Sequence, residues 1–314
     1  MTGDRIVFRD VSKFYGEVLG VNRISLDLEP GLTGLVGPNG SGKSTLMHLL
    51  TGLLRPTQGT VSVLGVTPDQ PETLFRDVGY CTQYDSFPSG ATGRGFLRHT
   101  MALRGFDRAE CDQRSWEALE TVGLTDAARR KIAGYSKGMR QRIKLAQALC
   151  HRPRVMVLDE PLNGLDPVGR AETIKLFRDL ADEGRYVIVS SHILHEVDLI
   201  SDNVVMIHGG TVVAEGSIRA VREEITSQPI QVLIRCDRPQ DVAARSFGLD
   251  HVVEAKIIDD GDGVLIRTRD AEKFFDSLTE IILETGVVVE AVAPSDETVD
   301  AVYDYLIGQP GAAP

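Results

Sequence analysis

Residues 37–45 constrain this chain more than any other stretch. Gly37-Pro38-Asn39-Gly40-Ser41-Gly42-Lys43-Ser44-Thr45 fits G-x-x-x-x-G-K-[ST] at every fixed position. Glycines at 37, 40 and 42 permit backbone with φ > 0 and leave room for successive N–H groups to face one anion. Lys43 then reaches the β- and γ-phosphates of a nucleotide, and the Ser44 hydroxyl offers a ligand to Mg²⁺. The apolar run 32–36 reads as a buried strand and 45–50 as a helix that ends before Pro56. Strand, loop and helix follow in the order a phosphate cradle requires, with the helix N-terminus adding its partial positive charge.

The flanking segments supply the rest of a site. Arg5–Arg9 and Ile24–Leu28 alternate as half-buried strands, with Lys13-Phe14-Tyr15-Gly16 between them. Tyr15 is either a core aromatic or a flat face for a nucleotide base. Further strands are read at 59–65 and 78–83; the second ends on Gln83, an amide that either ligates Mg²⁺, orients water or is a solvated loop residue. Residues 85–135 change character: 95–103, 108–122 and 125–132 carry helical spacing with many charges, which predicts a small helical insertion. Ser136 reads as the N-cap of the helix that follows, a second anion-ready terminus. Gly134–Gly138 also matches G-x-S-x-G, but no apolar strand precedes it, so a nucleophile elbow is excluded.

Val155-Met156-Val157-Leu158-Asp159-Glu160 is four apolar residues closed by two carboxylates, the pattern of a buried parallel strand delivering acids to its C-terminal edge. Asp159 is placed to hold Mg²⁺, and Glu160 to polarise the water that attacks a γ-phosphate. The strand 186–191 ends on His192, which can hydrogen-bond a γ-phosphate oxygen. The nearby H-x-x-H-E is not a zinc-protease spacing. Asn203–Ile207 and Thr211–Ala214, joined through Gly209-Gly210, read as a closing hairpin.

Composition narrows the partners. The chain of 314 residues has a net charge of −11 and no basic stripe, which argues against nucleic acid. Residues 230–314 hold 17 acidic and 7 basic side chains, so the acidity belongs to the tail region. The four cysteines, at 81, 111, 150 and 236, show neither zinc nor disulfide spacing, as in a reduced compartment. No signal pattern and no bilayer-length apolar run is visible, so work at a membrane requires another chain to cross it.

Taken in order, these motifs resemble the ATP-binding subunit of ATP-binding cassette (ABC) transporters, over about residues 4–222. The resemblance implies a P-loop α/β cassette with a RecA-like core, an antiparallel β subdomain and a helical subdomain near 85–150, bound to ATP and Mg²⁺. It implies that Tyr15 stacks on adenine, that Asn39, Gly40, Ser41, Gly42, Lys43, Ser44 and Thr45 cradle phosphates, and that Ser44, Gln83 and Asp159 serve the metal. Glu160 and His192 would be the catalytic pair. Ser136, Gly138 and Asp166 would meet a second subunit's nucleotide across a dimer seam. The family's Leu-Ser-Gly-Gly-Gln segment is Tyr135-Ser136-Lys137-Gly138-Met139 in this chain, a variant similar to export-type subunits that drive a separate polytopic permease from the cytoplasmic face of the membrane. An importer subunit with a solute-sensing tail is the alternative within transport, and a non-transport ABC ATPase the one outside it.

The cassette is expected over 1–225. From 229 the pattern resets to β-α-β-β-α-β, which predicts a ferredoxin-like accessory or dimerisation domain over 229–314. An apolar stripe at Val299, Val302, Tyr303, Leu306 and Ile307 predicts a last helix. The aspartates at 259, 260 and 262 lack calcium-loop spacing and read as a solvated turn.

Overall fold

A computed structural model describes residues 5–192, 197, 199–201, 203–217, 230–258 and 261–294. The chain divides into two compact units, residues 1–215 and 216–314. The boundary read near 225–229, the helix read over 295–307 and Asp259-Asp260 lie outside the described residues.

The first unit is built on a six-stranded sheet in the order β5-β6-β7-β3-β8-β9: β5 (Val78–Cys81), β6 (Val155–Asp159), β7 (Tyr186–Ser191), β3 (Gly31–Val36), β8 (Asn203–His208) and β9 (Thr211–Ser217). The first five pair in parallel. β6 and β7 are buried at every position, which is why they read as unbroken apolar runs rather than alternating ones. Their alternation instead sorts residues between two cores. Val155, Val157 and Ile188 join a cluster with α1 (Lys43–Leu50), whereas Met156, Leu158, Val187 and Val189 join the helical side. A tight turn through Gly209 and Gly210, both at positive φ, carries β8 into β9.

A separate antiparallel sheet, β2-β1-β4, is made of β1 (Ile6–Tyr15), β2 (Val18–Leu28) and β4 (Gln58–Val63). Its Ile6, Phe8, Val21, Ile24, Leu26 and Val61 close over Leu46, Met47 and Leu49 of α1, so the helix after the glycine loop lies within one core with both sheets. Lys13, Phe14 and Tyr15 belong to β1 and are not a connection. Register breaks along β1 and positive φ at Asp10 and Arg23 disrupt the period-2 pattern there, which hides the length of the hairpin.

The helical insertion comprises α3 (Gly93–Leu103), α4 (Arg108–Thr121) and α5 (Lys137–Leu149). α4 opens on a capping box between Asp107 and Glu110. The helix expected over 125–132 is instead a set of i→i+3 turns, in which the Ala127 and Ala128 carbonyls accept from Tyr135 Oη and the Arg94 N–H. Two further helices, α2 (Pro71–Asp77) and α6 (Pro167–Asp182), go beyond the elements read in the sequence; α6 is capped by Asp166.

The second unit runs β10 (Ile230–Cys236), α7 (Pro239–Ser246), β11 (Val252–Ile257), β12 (Gly263–Thr268), α8 (Ala271–Thr285) and β13 (Val289–Pro294). Its sheet order, β11-β12-β10-β13 with every neighbour antiparallel, is the split β-α-β arrangement of a ferredoxin-like fold. Val232, Ile234, Val264 and Ile266 line the face that receives Val242, Phe274, Leu278 and Ile281. Asp270 caps α8, and Gly286 at φ 63° ends it.

One buried histidine gives the fold a pH signature. His151 Nε2 donates to the Val78 carbonyl at 3.1 Å, and Nδ1 is buried without a partner. Burial pushes its pKa down to about 3, and Arg104 adds to the shift. Because the folded value lies below the unfolded one of about 6.5, the unfolded chain takes up this proton first. Its stabilising contribution is complete above pH 6.5 and is lost as pH falls from there toward 3, by up to about 1.4 kcal/mol per pH unit. In urea unfolding between pH 7 and 4.5, the stability of the wild-type chain should therefore fall more steeply than that of His151→Gln.

Candidate functional site

The site is built at the C-terminal edge of the parallel sheet. β3 ends at Val36, the loop turns through Gly37–Gly42, and α1 begins at Lys43. A Cβ at Gly37 would lie 2.4 Å from the Ile207 carbonyl oxygen, and Gly42, at φ 109°, would meet the Gly20 carbonyl at 2.7 Å. Side chains are thus excluded from the loop at both positions. Gly42 caps α1 without a side-chain hydrogen bond, so the N–H groups of the first turn carry no internal acceptor from the cap. Ser41 Oγ is buried and unpartnered. The Lys43 ammonium donates to the carbonyls of Gly37 at 2.5 Å and Pro38 at 2.9 Å. Burial pulls its pKa below the usual lysine range, opposed by the Glu160 and Asp159 carboxylates.

A cleft of about 260 Å³ opens over this loop. Its walls bring together Tyr15, residues 39–45, Gln83, Asp159 and Glu160. Tyr15 is 45% exposed, with Oη 3.3 Å from Thr45 Oγ1, so it is a wall of the cleft and not a core aromatic. Gly20 is the residue that makes room for it, since a Cβ there would lie 2.8 Å from the ring.

The two carboxylates have different surroundings. Asp159 is 5% exposed and accepts from Ser190 Oγ at 2.8 Å. Burial raises its pKa; the Ser190 hydrogen bond opposes the shift and Glu160 adds to it. Glu160 follows in the left-handed region, at φ 48°, a conformation costing on the order of 1 kcal/mol in a non-glycine residue. Its own N–H donates to Ser190 Oγ at 2.9 Å. The Glu160 carboxylate is held from three sides: Gln83 Nε2 donates to Oε2 at 3.0 Å, Asn163 Nδ2 donates to the same oxygen, and His192 Nδ1 lies 3.1 Å from Oε1. A carboxylate oxygen accepts, so Nδ1 carries the proton and Nε2 is the ring's other polar atom.

His192, Ser136, Gly138 and Asp166 do not line the cleft. His192 stands behind Glu160, where it lines a small cavity with Asn163 and Ser190. Ser136 caps α5, accepting from the Met139 N–H at 3.2 Å. Gly138 abuts the loop before α6, where a Cβ would lie 3.3 Å from the Gly164 carbonyl oxygen. Asp166 caps α6, 4.0 Å from Arg142. Sequence reasoning missed Ser190, which joins the Asp159 carboxylate to the Glu160 backbone N–H, and Asn163. The turn-forming Asn163-Gly164 pair was a usable signal for the second; a serine at a strand end carried none for the first.

The donor set fits Mg²⁺. Ser44 Oγ, the Asp159 carboxylate and the Gln83 amide oxygen, whose Nε2 is committed to Glu160, are hard oxygen ligands on one cleft. Among the described residues no group of three or more His, Cys, Asp or Glu forms a metal cage of its own.

Comparison with known proteins agrees with this geometry. The sequence model of the ABC transporter family matches residues 21–163. The chain is 40% identical over 190 residues to the uncharacterized ABC transporter ATP-binding protein YxlF of Bacillus subtilis, covering 60% of this chain and 63% of that one, just under two thirds of its length. It is 31% identical over 301 residues to the daunorubicin/doxorubicin resistance ATP-binding protein DrrA of Streptomyces peucetius, covering 95% of this chain and 91% of that one. A solved ATP-binding subunit of an ABC transporter superposes with a TM-score of 0.65 at 27% identity, over 70% of this chain and 93% of that one. With a phosphate loop, an exposed tyrosine and a paired carboxylate edge sharing one cleft, and with relatives that align over nearly its whole length, the chain belongs to the ABC transporter family, as one of its ATP-binding proteins.

Proposed function

We propose that this chain hydrolyses ATP to drive a separate membrane permease, in an exporter, from the inner face of the membrane. The observation that carries the hydrolytic role is the fixation of Glu160 by Gln83, Asn163 and His192 at the wall of the phosphate cleft. The N–H groups of the loop and the Lys43 ammonium bind the β- and γ-phosphates, and Tyr15 stacks on the base. Ser44, Asp159 and Gln83 would hold Mg²⁺, which would supply neutralisation of phosphate charge. Glu160 orients the attacking water and accepts its proton; its three hydrogen bonds hold the carboxylate in one position, which is where the rate advantage of a placed base arises. His192, outside the cleft, orients the Glu160 carboxylate through its Nδ1 hydrogen bond.

Ser136, Gly138 and Asp166 are gathered at the starts of α5 and α6, away from the chain's own cleft, and this supports a reading in which they complete the cleft of a second copy. ATP then closes a head-to-tail pair, and loss of the γ-phosphate opens it. A separate permease is required by this reading because no helix among the described residues is long and apolar enough to cross a membrane. Export is supported by the likeness to DrrA, a drug-resistance protein that matches across both units. The second unit, which folds around a core of its own, is read as a dimerisation or regulatory module.

Two variants test the site. Glu160→Gln should keep ATP affinity, lose turnover by about 10²-fold or more, and accumulate an ATP-dependent dimer in size exclusion; undiminished turnover removes Glu160 from the role. Lys43→Ala should weaken nucleotide binding by about tenfold or more in calorimetric titration, and an unchanged affinity contradicts the cradle.

A further inference from the structure

Lys144 lies on α5 in the run Ile143-Lys144-Leu145 and is only 4% exposed. A buried ammonium needs all three of its N–H donors satisfied. All three are: Nζ donates to the carbonyls of Thr82 at 3.1 Å and Gln83 at 2.9 Å and lies 3.1 Å from Asp85 Oδ1. Those carbonyls belong to the backbone that carries the chain from the end of β5 to the Gln83 side chain. One turn earlier on the same helix face, Arg140 donates to Asp85 Oδ2 at 2.8 Å and to the Tyr135 carbonyl at 2.7 Å. Gln141 Nε2 approaches Cys81 Sγ at 3.9 Å. Residues 81–85 are therefore fastened to α5 at Cys81, Thr82, Gln83 and Asp85, and α5 is the helix that Ser136 caps.

Gln83 donates in turn to Glu160. A continuous path thus runs from the Ser136 end of α5, through Lys144 and two backbone carbonyls, to the carboxylate at the cleft. We propose that Lys144 is a positioning residue: by clamping the backbone of Thr82 and Gln83 to α5, it sets the Gln83 amide against Glu160. Hydrolysis in the chain's own cleft then depends on where the Ser136 end of the same helix is held. The assignment rests on the ATPase reading above and deepens it. If that end of α5 closes over the nucleotide of another chain, a rigid helix carries the state of one site to the other. An apolar residue at 144 would leave both carbonyls without their donor and free the Gln83 segment to reorient, while the glycine loop, which Lys144 does not touch, would keep its nucleotide contacts.

The test compares the full-length wild type, Lys144→Met, Gln83→Ala and the double variant for Mg-ATP turnover and for ATP affinity by titration. Lys144→Met should lower kcat by about tenfold while ATP affinity stays within about threefold. In the Gln83→Ala background the same substitution should cost less than about twofold more, because Lys144 acts through Gln83. Turnover of Lys144→Met within about twofold of wild type overturns the proposal. So do multiplicative losses in the double variant, or a parallel collapse of kcat and affinity. Should Lys144→Met not fold, Asp85→Asn at the exposed end of the network takes its place in both backgrounds: a kcat loss confined to the Gln83 background supports the clamp, and equal effects in both overturn it. A wild-type chain without turnover contradicts the ATPase reading and takes the proposal with it, an outcome visible in the unmodified protein alone.

Discussion

Two carboxylates at the end of a fully buried strand are the constraint around which this molecule is arranged. β6 has no exposed position, so Asp159 and Glu160 reach the cleft only where the strand stops. Burial resists charge on Asp159 and on Lys43 alike, and each lies within the other's field. The left-handed turn at Glu160 aims the second carboxylate toward Gln83 and His192, and Ser190 Oγ ties the backbone of that turn to the Asp159 side chain. A change at the strand end is therefore felt at β5, β7 and the glycine loop together.

Much of this was legible in the sequence because its physics is local. A glycine loop between an apolar run and a helix, or an apolar strand closed by two acids, needs no distant partner to be recognised, and the parallel sheet followed from unbroken rather than alternating apolar runs. What escaped was set by long-range contacts. β1 extends to Tyr15 through irregular register, with Asp10 and Arg23 at positive φ, and period-2 counting fails there. Residues 125–132 have helical spacing, but their carbonyls are taken by Tyr135 and the backbone of Arg94. Asn163 and Ser190 become part of the site only once β6 and β7 lie side by side. Lys144 reads in sequence as one more charge on a surface helix, and only the fold shows that the segment after β5 covers it.

The two ends of the site differ in what they ask of other molecules. The cleft around loop 37–45 is walled within one chain, whereas Ser136, Gly138 and Asp166 are arranged at helix termini that do not join it. In the head-to-tail pair proposed above that separation would be functional: one chain would carry a nucleotide cleft and, elsewhere, the cap for another chain's cleft. On that proposal ATP would join two chains by completing the γ-phosphate contacts of each cleft, and the second unit, folded around its own core, would serve assembly.

Head-to-tail pairing is tested most directly by cysteine cross-linking between Asn39→Cys in the cradle and Ser136→Cys at the start of α5. Both positions are exposed and the four native cysteines are buried, so background linking is low. Pairing of this kind predicts a disulfide between two chains that forms with ATP and Mg²⁺ and is lost without nucleotide. A link within one chain, or no nucleotide-dependent link between chains, would contradict it.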